Sequence, residues 1–379
     1  MPLVSLVIPT RDEEETIGEC ISRSMKVFDE MGIEGEVIIA DSSEDSTPEI
    51  ARSLGAEVTR PEKLGYGNAY LAGFERARGR YIVIMDGDLT YDPIEIPEFI
   101  RLLESGEADF VIGTRLKGEI KKGAMPALHR YIGNPLLTWM LNLLFGARIS
   151  DSHCGMRAIS KEALDRLSPR AGGMEFASEM VIEASRKKLR IREVPITYSP
   201  RKGVSKLHSF SDGWRHFRFM MLYRPGPFLL LPGSVALVFG LVLTLFVMMH
   251  EPNQELRMHS LILGTMLLIM GYQTLLSGLY IAAFGKSYGV GGEGGLGKRL
   301  ASYHSLEKEL AIGGALLAVG VILGSKVILN WIDVGFGSLQ EVQEAMMAMI
   351  LSIMGLQTIF SAIIISLLLL RSENGNGYR

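Results

Sequence analysis

The sequence is short of cysteine, of net basic charge and, over its C-terminal part, of charge altogether. Two cysteines in 379 residues, Cys20 and Cys154, are too few for a disulfide framework. A net charge of −3 supplies no whole-chain basic field, so no nucleic-acid partner is expected. The seven histidines show no metal-ligand spacing. No Gly-x-Gly-x-x-Gly follows the first strand-like run, which disfavours a nicotinamide-binding domain. A match to that pattern, Gly292-Glu-Gly-Gly-Leu-Gly297, follows an apolar span instead of a strand and reads as a flexible linker. Met1 leads straight into a strand-length apolar run, without the charged region and long apolar core of a signal peptide. The largest shortage is in residues 228–370, which hold 14 of the 81 charged side chains against 64 in residues 1–227. That division is too uneven for one soluble globule, and it implies a soluble domain followed by a membrane domain.

Four stretches reach the roughly 20 residues that a helix needs to cross hydrocarbon: 228–249, 260–285, 310–331 and 345–370. Only the third is interrupted by charge, at Lys326, near one end where a long stem can snorkel. Basic residues gather before the first span (Arg215, Arg218, Arg224), between the second and third (Lys286, Lys298, Arg299, Lys308) and in the tail (Arg371, Arg379). The alternate loops hold only Arg257. The excess of positive charge makes the first set cytoplasmic, with the soluble domain and both termini on that side. The octapeptide Met270-Gly-Tyr-Gln-Thr-Leu-Leu-Ser277 recurs as Met354-Gly-Leu-Gln-Thr-Ile-Phe-Ser361, so the spans form two duplicated hairpins. Gln273 and Gln357 call for interhelical hydrogen bonds. Gly320 and Gly324 fit close packing, either within the chain or in a homo-oligomer.

Residues 3–112 alternate strand and helix signals. Strands are expected at 3–8, 36–40, 57–59, 81–85 and 109–112, with helices between them. Thr10 with Glu13, and Ser46 with Glu49, have the spacing of capping boxes. The class is α/β: a mostly parallel sheet with helices on both faces, which binds ligands at the carboxyl ends of its strands. Polar residues cluster at those ends: Pro9, Thr10 and Arg11, then Asp41, Asp86-Gly87-Asp88, and Gly113-Thr-Arg115. Asp86 and Asp88, just past a buried strand, suit a hard cation such as Mg²⁺ or Mn²⁺, whose remaining ligands would be diphosphate oxygens and water. Residues 136–145, with Trp139 central, are almost wholly apolar yet too short to span, and read as an interfacial helix or a buried core helix.

Val4-Ser-Leu-Val-Ile-Pro-Thr10, Asp41, Asp86-Gly-Asp88 and Asp151-Ser-His-Cys-Gly-Met-Arg157 together resemble family 2 glycosyltransferases with the GT-A fold. Glu193-Val-Pro-Ile-Thr-Tyr198 and Arg201-Lys-Gly-Val-Ser-Lys-Leu207 are similar to the polyprenyl-phosphate sugar synthases, the dolichol-phosphate mannose synthase type. The resemblance covers residues 3–226. It implies a GT-A catalytic domain at 1–206, which leaves a juxtamembrane helix region at 207–227 ahead of the four spans at 228–370 and a tail at 371–379. It further implies that Pro9, Thr10, Arg11, Glu13, Asp41, Gly65, Asp86 and Gly87 meet the nucleotide sugar, and that Asp86, Asp88 and Thr90 serve the metal. Arg115, Arg130, Arg201, Ser205 and Lys206 would meet the phosphate of a dolichyl or polyprenyl acceptor. Asp86, Asp88, Arg115 and Asp151 form the implied catalytic set, with Asp151 holding loop geometry or a sugar hydroxyl. The activity implied is transfer of a hexose, of the GDP-mannose or UDP-glucose type, to the lipid phosphate with inversion. A processive polysaccharide synthase is disfavoured, because its Gln-x-x-Arg-Trp is met only by Gln254-Glu-Leu-Arg-Met258. A non-catalytic lipid-linked sugar transporter or scaffold is disfavoured by the intact Asp86–Asp88 pair.

Overall fold

Alternating strand and helix signals place parallel strands side by side, and the computed structural model has that arrangement. It describes residues 1–202, 209–249, 254–287, 299, 304–337 and 341–374. The chain divides into two compact units, Met1–Phe219 and Met220–Arg379.

The first unit is built on a seven-stranded sheet: β1 (Val4–Thr10), β2 (Gly35–Asp41), β3 (Glu57–Thr59), β4 (Tyr81–Ile84), β5 (Phe110–Ile120), β6 (Arg157–Ser160) and β7 (Ile191–Tyr198). Their order is β3-β2-β1-β4-β6-β5-β7, and β6 alone runs antiparallel to its neighbours. Every residue of β4 is buried, as suits a central strand covered on both faces. The helices are α1 (Ile17–Met31), α2 (Thr47–Ser53), α3 (Tyr66–Arg76), α4 (Ile96–Glu104), α5 (Asn134–Phe145), α6 (Lys161–Leu167), α7 (Phe176–Arg186) and α8 (Ser209–Tyr223). Helix α3 packs against β1 and β2, and α4 against β4 to β7.

The reversed β6 decides what reaches the site. Ile84 of β4 and Ile112 of β5 both lie opposite Arg157, the first residue of β6. The chain before β6, with Asp151 to Gly155, therefore arrives at the edge where β4 and β5 end. β7 runs with β5 and delivers Tyr198 and Arg201 to the same edge.

Both expected capping boxes are corrected. Thr10 is the last residue of β1, and α1 begins only at Ile17. Ser46 precedes α2, but its side chain caps nothing; Asp45 Oδ1 accepts from Thr47 N at 3.0 Å instead. A carboxylate is the stronger acceptor at a helix N-terminus. The fifth strand extends well past its expected end at 112, bending between Thr114 and Glu119. Cys20 and Cys154 are free and buried, and burial pushes each thiol up to about 12.

The second unit has four helices long and apolar enough to cross a membrane, at Gly226–Met249, Met258–Ser287, Leu306–Asp333 and Val342–Leu369. They correspond to α9 (Leu231–Met249) with the turn before it, α10 (Gln254–Ser287), α11 (Leu306–Asp333) and α12 (Val342–Asn374). The repeat is visible in their packing. A Cβ on Gly233 would meet Gly271 O at 3.1 Å, and one on Gly240 would meet Gly264 O at 2.7 Å. In the second hairpin Gly313 faces Gly355 O at 2.9 Å and Gly320 faces Ala348 O at 2.9 Å. Small residues thus let both helix pairs approach closely at matching points. Gly320 uses this contact within the chain. The hydrogen bond joining the two hairpins comes from neighbours of the glutamines, Tyr272 OH to Thr358 Oγ1 at 2.6 Å. Gln273 is exposed, and Gln357 Oε1 is buried without a hydrogen bond, so the expectation that the glutamines bridge helices is not met. Ser205, Lys206 and the Gly292–297 motif lie outside the described residues.

Candidate active site

The carboxyl ends of β1, β2, β4 and β5 share one edge because those strands run the same way. At the end of β1, Thr10 Oγ1 donates to Asp41 Oδ1 at 2.8 Å, and Ser43 Oγ donates to the same oxygen at 2.6 Å. Asp41, 5% exposed, is thereby fixed at the end of β2. Pro9 is half-buried beside it, Arg11 is exposed, and Asp12 takes φ 53° where the chain turns. The Glu13 amide donates to Thr47 Oγ1 at 2.9 Å, tying this turn to α2.

Past β4, Gly87 packs on β1, where a Cβ would meet Ile8 and Thr10 side-chain carbons at 3.1 and 3.2 Å. The two aspartates beside it are held differently. Asp86 Oδ1 accepts from Tyr66 OH at 3.0 Å, and Gly155 approaches so closely that a Cβ there would sit 2.8 Å from Asp86 Oδ2. Burial first, and the charge of Asp88 second, push the Asp86 carboxyl up to about 6. Asp88 is 2% exposed, and its Oδ1 accepts from both Thr90 N and Thr90 Oγ1. Among the described residues its Oδ2 receives no aligned hydrogen bond, only the charge of Arg201, whose Nη2 lies 2.6 Å away. Burial works against the charge on Arg201, but Asp88 and Asp86 outweigh it and hold the guanidinium protonated.

Arg115, on β5, is almost fully buried and pairs bidentately with Asp151, Nε to Oδ2 at 2.7 Å and Nη2 to Oδ1 at 2.8 Å. Burial disfavours the charge on Asp151, yet Arg115 outweighs it and keeps the carboxyl below its usual range. The Arg115 guanidinium lies 5.2 Å from the Tyr198 ring centroid. Its Nη1 makes no hydrogen bond among the described residues.

The structure thus brings together Asp86, Asp88, Thr90, Arg115, Asp151 and Arg201, with Thr10, Asp41 and Gly87 alongside. Gly65 sits at the start of α3 with φ 147°, and a Cβ there would strike the carbonyl of Gly172. Arg130 lies before α5, 5.4 Å from the Tyr131 ring centroid, and no described contact joins it to the aspartates.

Sequence reading passed over three residues that build this site. Tyr66 anchors Asp86. Glu179 accepts from the Arg170 and Ala171 amides and holds that loop over the start of α3. Glu193 Oε1 accepts from Ser150 N at 2.6 Å and fixes the strand of chain entering Asp151. Only Glu193 carried a signal, as the first residue of the Glu-Val-Pro-Ile-Thr-Tyr motif.

Residues 5–168 match glycosyl transferase family 2, and residues 280–369 match the glycosyltransferase family 2 C-terminal transmembrane region. Over 367 residues the chain is 41% identical to the low-salt glycan biosynthesis hexosyltransferase Agl6 of Haloferax volcanii, covering 96% of this chain and 88% of that protein. The chain is a family 2 glycosyltransferase. This glycosyltransferase is also 35% identical, over 212 residues, to the dolichyl-phosphate hexose transferase of the same organism, across 55% of this chain and 89% of that one. Its fold is similar to that of glucosyl-3-phosphoglycerate synthase from Mycobacterium tuberculosis, solved with Mn²⁺, UDP-glucose and phosphoglyceric acid. That likeness has a TM-score of 0.50 at 22% identity, over 59% of this chain and 80% of the other. The GT-A-like architecture expected from the motifs is therefore borne out.

Proposed function

We propose that this glycosyltransferase moves a hexose from a nucleotide-diphosphate sugar to dolichyl or another polyprenyl phosphate, with inversion, using Mg²⁺ or Mn²⁺. The observation that carries the reading is the meeting of two carboxylates and two arginines at one sheet edge, centred on the 2.6 Å approach of Arg201 to Asp88. The two Haloferax relatives, a hexosyltransferase of glycan biosynthesis and a dolichyl-phosphate hexose transferase, support the same class of acceptor and sugar.

The residues fit a divalent ion. Among the described residues no cluster of three or more His, Cys, Asp and Glu gathers, which disfavours a metal held by protein alone. Two carboxylates that repel one another, one with a buried oxygen lacking any aligned donor, suit an ion that takes its other ligands from a diphosphate. Bound there, the ion would neutralise the leaving nucleoside diphosphate. Thr90 orients Asp88 and Tyr66 orients Asp86. Pro9, Arg11, Glu13, Asp41, Gly65 and Gly87 form the donor side.

A phosphate monoester has its second pKa near about 6 and is largely ionised at pH 7, so the acceptor needs no general base. One of its oxygens attacks the anomeric carbon as the bond to the diphosphate breaks, which inverts the centre. Arg115 and Arg201 lower the repulsion between acceptor and donor. Asp151 acts through Arg115 as a positioning residue. The excess of basic residues in the loops supports a cytoplasmic catalytic unit with both termini on the same side.

Incubating the protein with UDP- and GDP-hexoses, Mn²⁺ and dolichyl or undecaprenyl phosphate is expected to yield a chloroform-soluble glycolipid. Water-soluble oligosaccharide in its place would sink the reading.

Two further expectations arise here. Tyr66→Phe removes the hydroxyl on Asp86 and is expected to weaken Mn²⁺ binding by about 10- to 100-fold, the usual cost of losing a partner behind a metal ligand. Calorimetric titration of Mn²⁺ with UDP checks it; unchanged affinity would remove Tyr66 from the site. The second concerns α5, which exposes Leu136, Trp139 and Leu143 at 50%, 58% and 65% and buries Thr138, Leu141 and Leu144. Such a face fits the bilayer interface. With Trp214 and Trp331 replaced by Phe, brominated lipids are expected to quench Trp139 fluorescence in proteoliposomes. Emission unaffected by bromine would place that face in water.

A further inference from the structure

Residues 149–154 form a short loop between α5 and β6, and side chains from several elements grip it. From α5, Asn142 holds Ile149 by two hydrogen bonds, Nδ2 to O at 2.7 Å and N to Oδ1 at 3.1 Å. Thr138, also on α5, meets Ser152 hydroxyl to hydroxyl at 2.9 Å and accepts from the Ser152 amide at 3.2 Å. The grip from α8 is aromatic. His216, 5% exposed on that helix, lies edge-on to His153 with ring centroids 4.3 Å apart at 79°. Each ring is turned to a fixed angle by a serine: His216 Nδ1 with Ser178 Oγ of α7 at 2.8 Å, and His153 Nδ1 with Ser152 Oγ at 2.9 Å. An apolar pair would fill the same space without fixing the rings, so these contacts specify orientation as well as packing.

The loop's own cargo is Asp151, whose two oxygens hold Arg115. The two helices that grip it are the ones with lipid-facing character. α5 has the exposed apolar face. α8 carries exposed Trp214, Arg215 and Arg218, and in the sequence it runs within three residues of the first span, which begins at Gly226.

We propose that His216, acting through His153, is a positioning residue for Arg115: the juxtamembrane helix sets the loop that aims the acceptor-phosphate arginine. This rests on the reading of Arg115 as an acceptor contact. The arrangement makes the lipid side of the reaction depend on α8 being seated, while the donor side, built on β1, β2 and the Asp86–Asp88 turn, does not.

The test uses the full chain in nanodiscs, with His216→Ala and His216→Asn; asparagine places a hydrogen-bonding atom near the former Nδ1. Two quantities are read: KM for undecaprenyl phosphate against KM for the nucleotide sugar, and amide hydrogen exchange over 149–154 against 86–91. His216→Ala is expected to raise the acceptor KM about tenfold, leave the donor KM within about twofold, and speed exchange only in the loop. His216→Asn keeps a partner for Ser178 but not the ring edge on His153, and is expected to restore part of both. Should His216→Ala fail to fold, Ser178→Ala removes a single hydrogen bond and is expected to shift the same two readouts in the same direction by less. Equal changes in both KM values, unaltered exchange at 149–154, or an asparagine variant no better than alanine would overturn the proposal. A wild-type protein that glycosylates no polyprenyl phosphate would overturn the acceptor role of Arg115, whereas the exchange data would still decide whether His216 holds the loop.

Discussion

Asp88→Asn is expected to lower hexose transfer on the order of 10³-fold while leaving the fold intact, because on the proposed reading the carboxylate would hold the ion that neutralises the diphosphate as the donor bond breaks. Asparagine keeps an Oδ1 for the two Thr90 hydrogen bonds, so the turn survives. What is lost is the negative charge on Oδ2, the buried atom that only Arg201 approaches. The variant also relieves the repulsion that raises Asp86. In the absence of metal that relief offsets part of the lost Arg201 pair, so the melting temperature should stay near or somewhat below the wild type. Mn²⁺ with UDP should raise the melting temperature of the wild type and not of the variant. The pH dependence follows from the same group. The Asp86 carboxyl, raised to about 6 against an ordinary 3.8, binds protons more tightly in the folded chain. Its contribution to metal-free stability is full below the ordinary value and is lost as pH climbs through about 6. Metal-free protein should gain stability from this site between pH 7 and pH 5, and Mn²⁺ should stabilise more at pH 7. Full turnover and an intact Mn²⁺ response in Asp88→Asn would end the reading of this turn as a metal site.

The parts of this fold that were legible in sequence are those set by local pattern. Leu3 to Ile8, apolar but for Ser5, and Tyr81 to Met85 are near-continuous apolar runs, and buried parallel strands leave that signature. The four spans are legible for the same reason, since a helix that crosses hydrocarbon needs a long, mostly apolar run. What pattern alone does not carry is pairing across distance. β6, Arg-Ala-Ile-Ser, is four residues long and too short to show a period. Its antiparallel direction, which turns Asp151 toward Arg115, comes from its neighbours in the sheet. β7 does alternate through Val194 and Ile196, yet the series of strands was expected to close before it. The site follows the same division. Asp86 and Asp88 stand out by spacing, and Arg201 by motif. Tyr66 and Glu179 do not, because their partners lie 20 residues away in one case and on a loop amide in the other. His153 and His216 form no ligand spacing; only their placement across two elements shows what they hold together.

Asp151→Ala is expected to destabilise the catalytic unit by about 3–5 kcal/mol, the cost of leaving one partner of a buried ion pair alone. Arg115 and Asp151 are 8% and 0% exposed at the side chain, so water cannot replace the lost partner. Surface pairs such as Arg101 with Glu98 are about half exposed and should cost far less when broken. The double variant Arg115→Met with Asp151→Leu separates structure from function. Apolar residues of similar volume carry no desolvation penalty, and such replacements of buried pairs are often neutral or stabilising. The double variant should therefore regain most of the stability lost in Asp151→Ala, while transfer stays down at least about 10²-fold for want of the Arg115 charge. Arg115→Lys should fall between, because a single ammonium cannot reproduce both bonds of the guanidinium fork. Chemical denaturation reads the first quantity and glycolipid formation the second. Recovery of both in the double variant would mean that Arg115 only supports the loop; recovery of stability alone assigns the guanidinium to the chemistry.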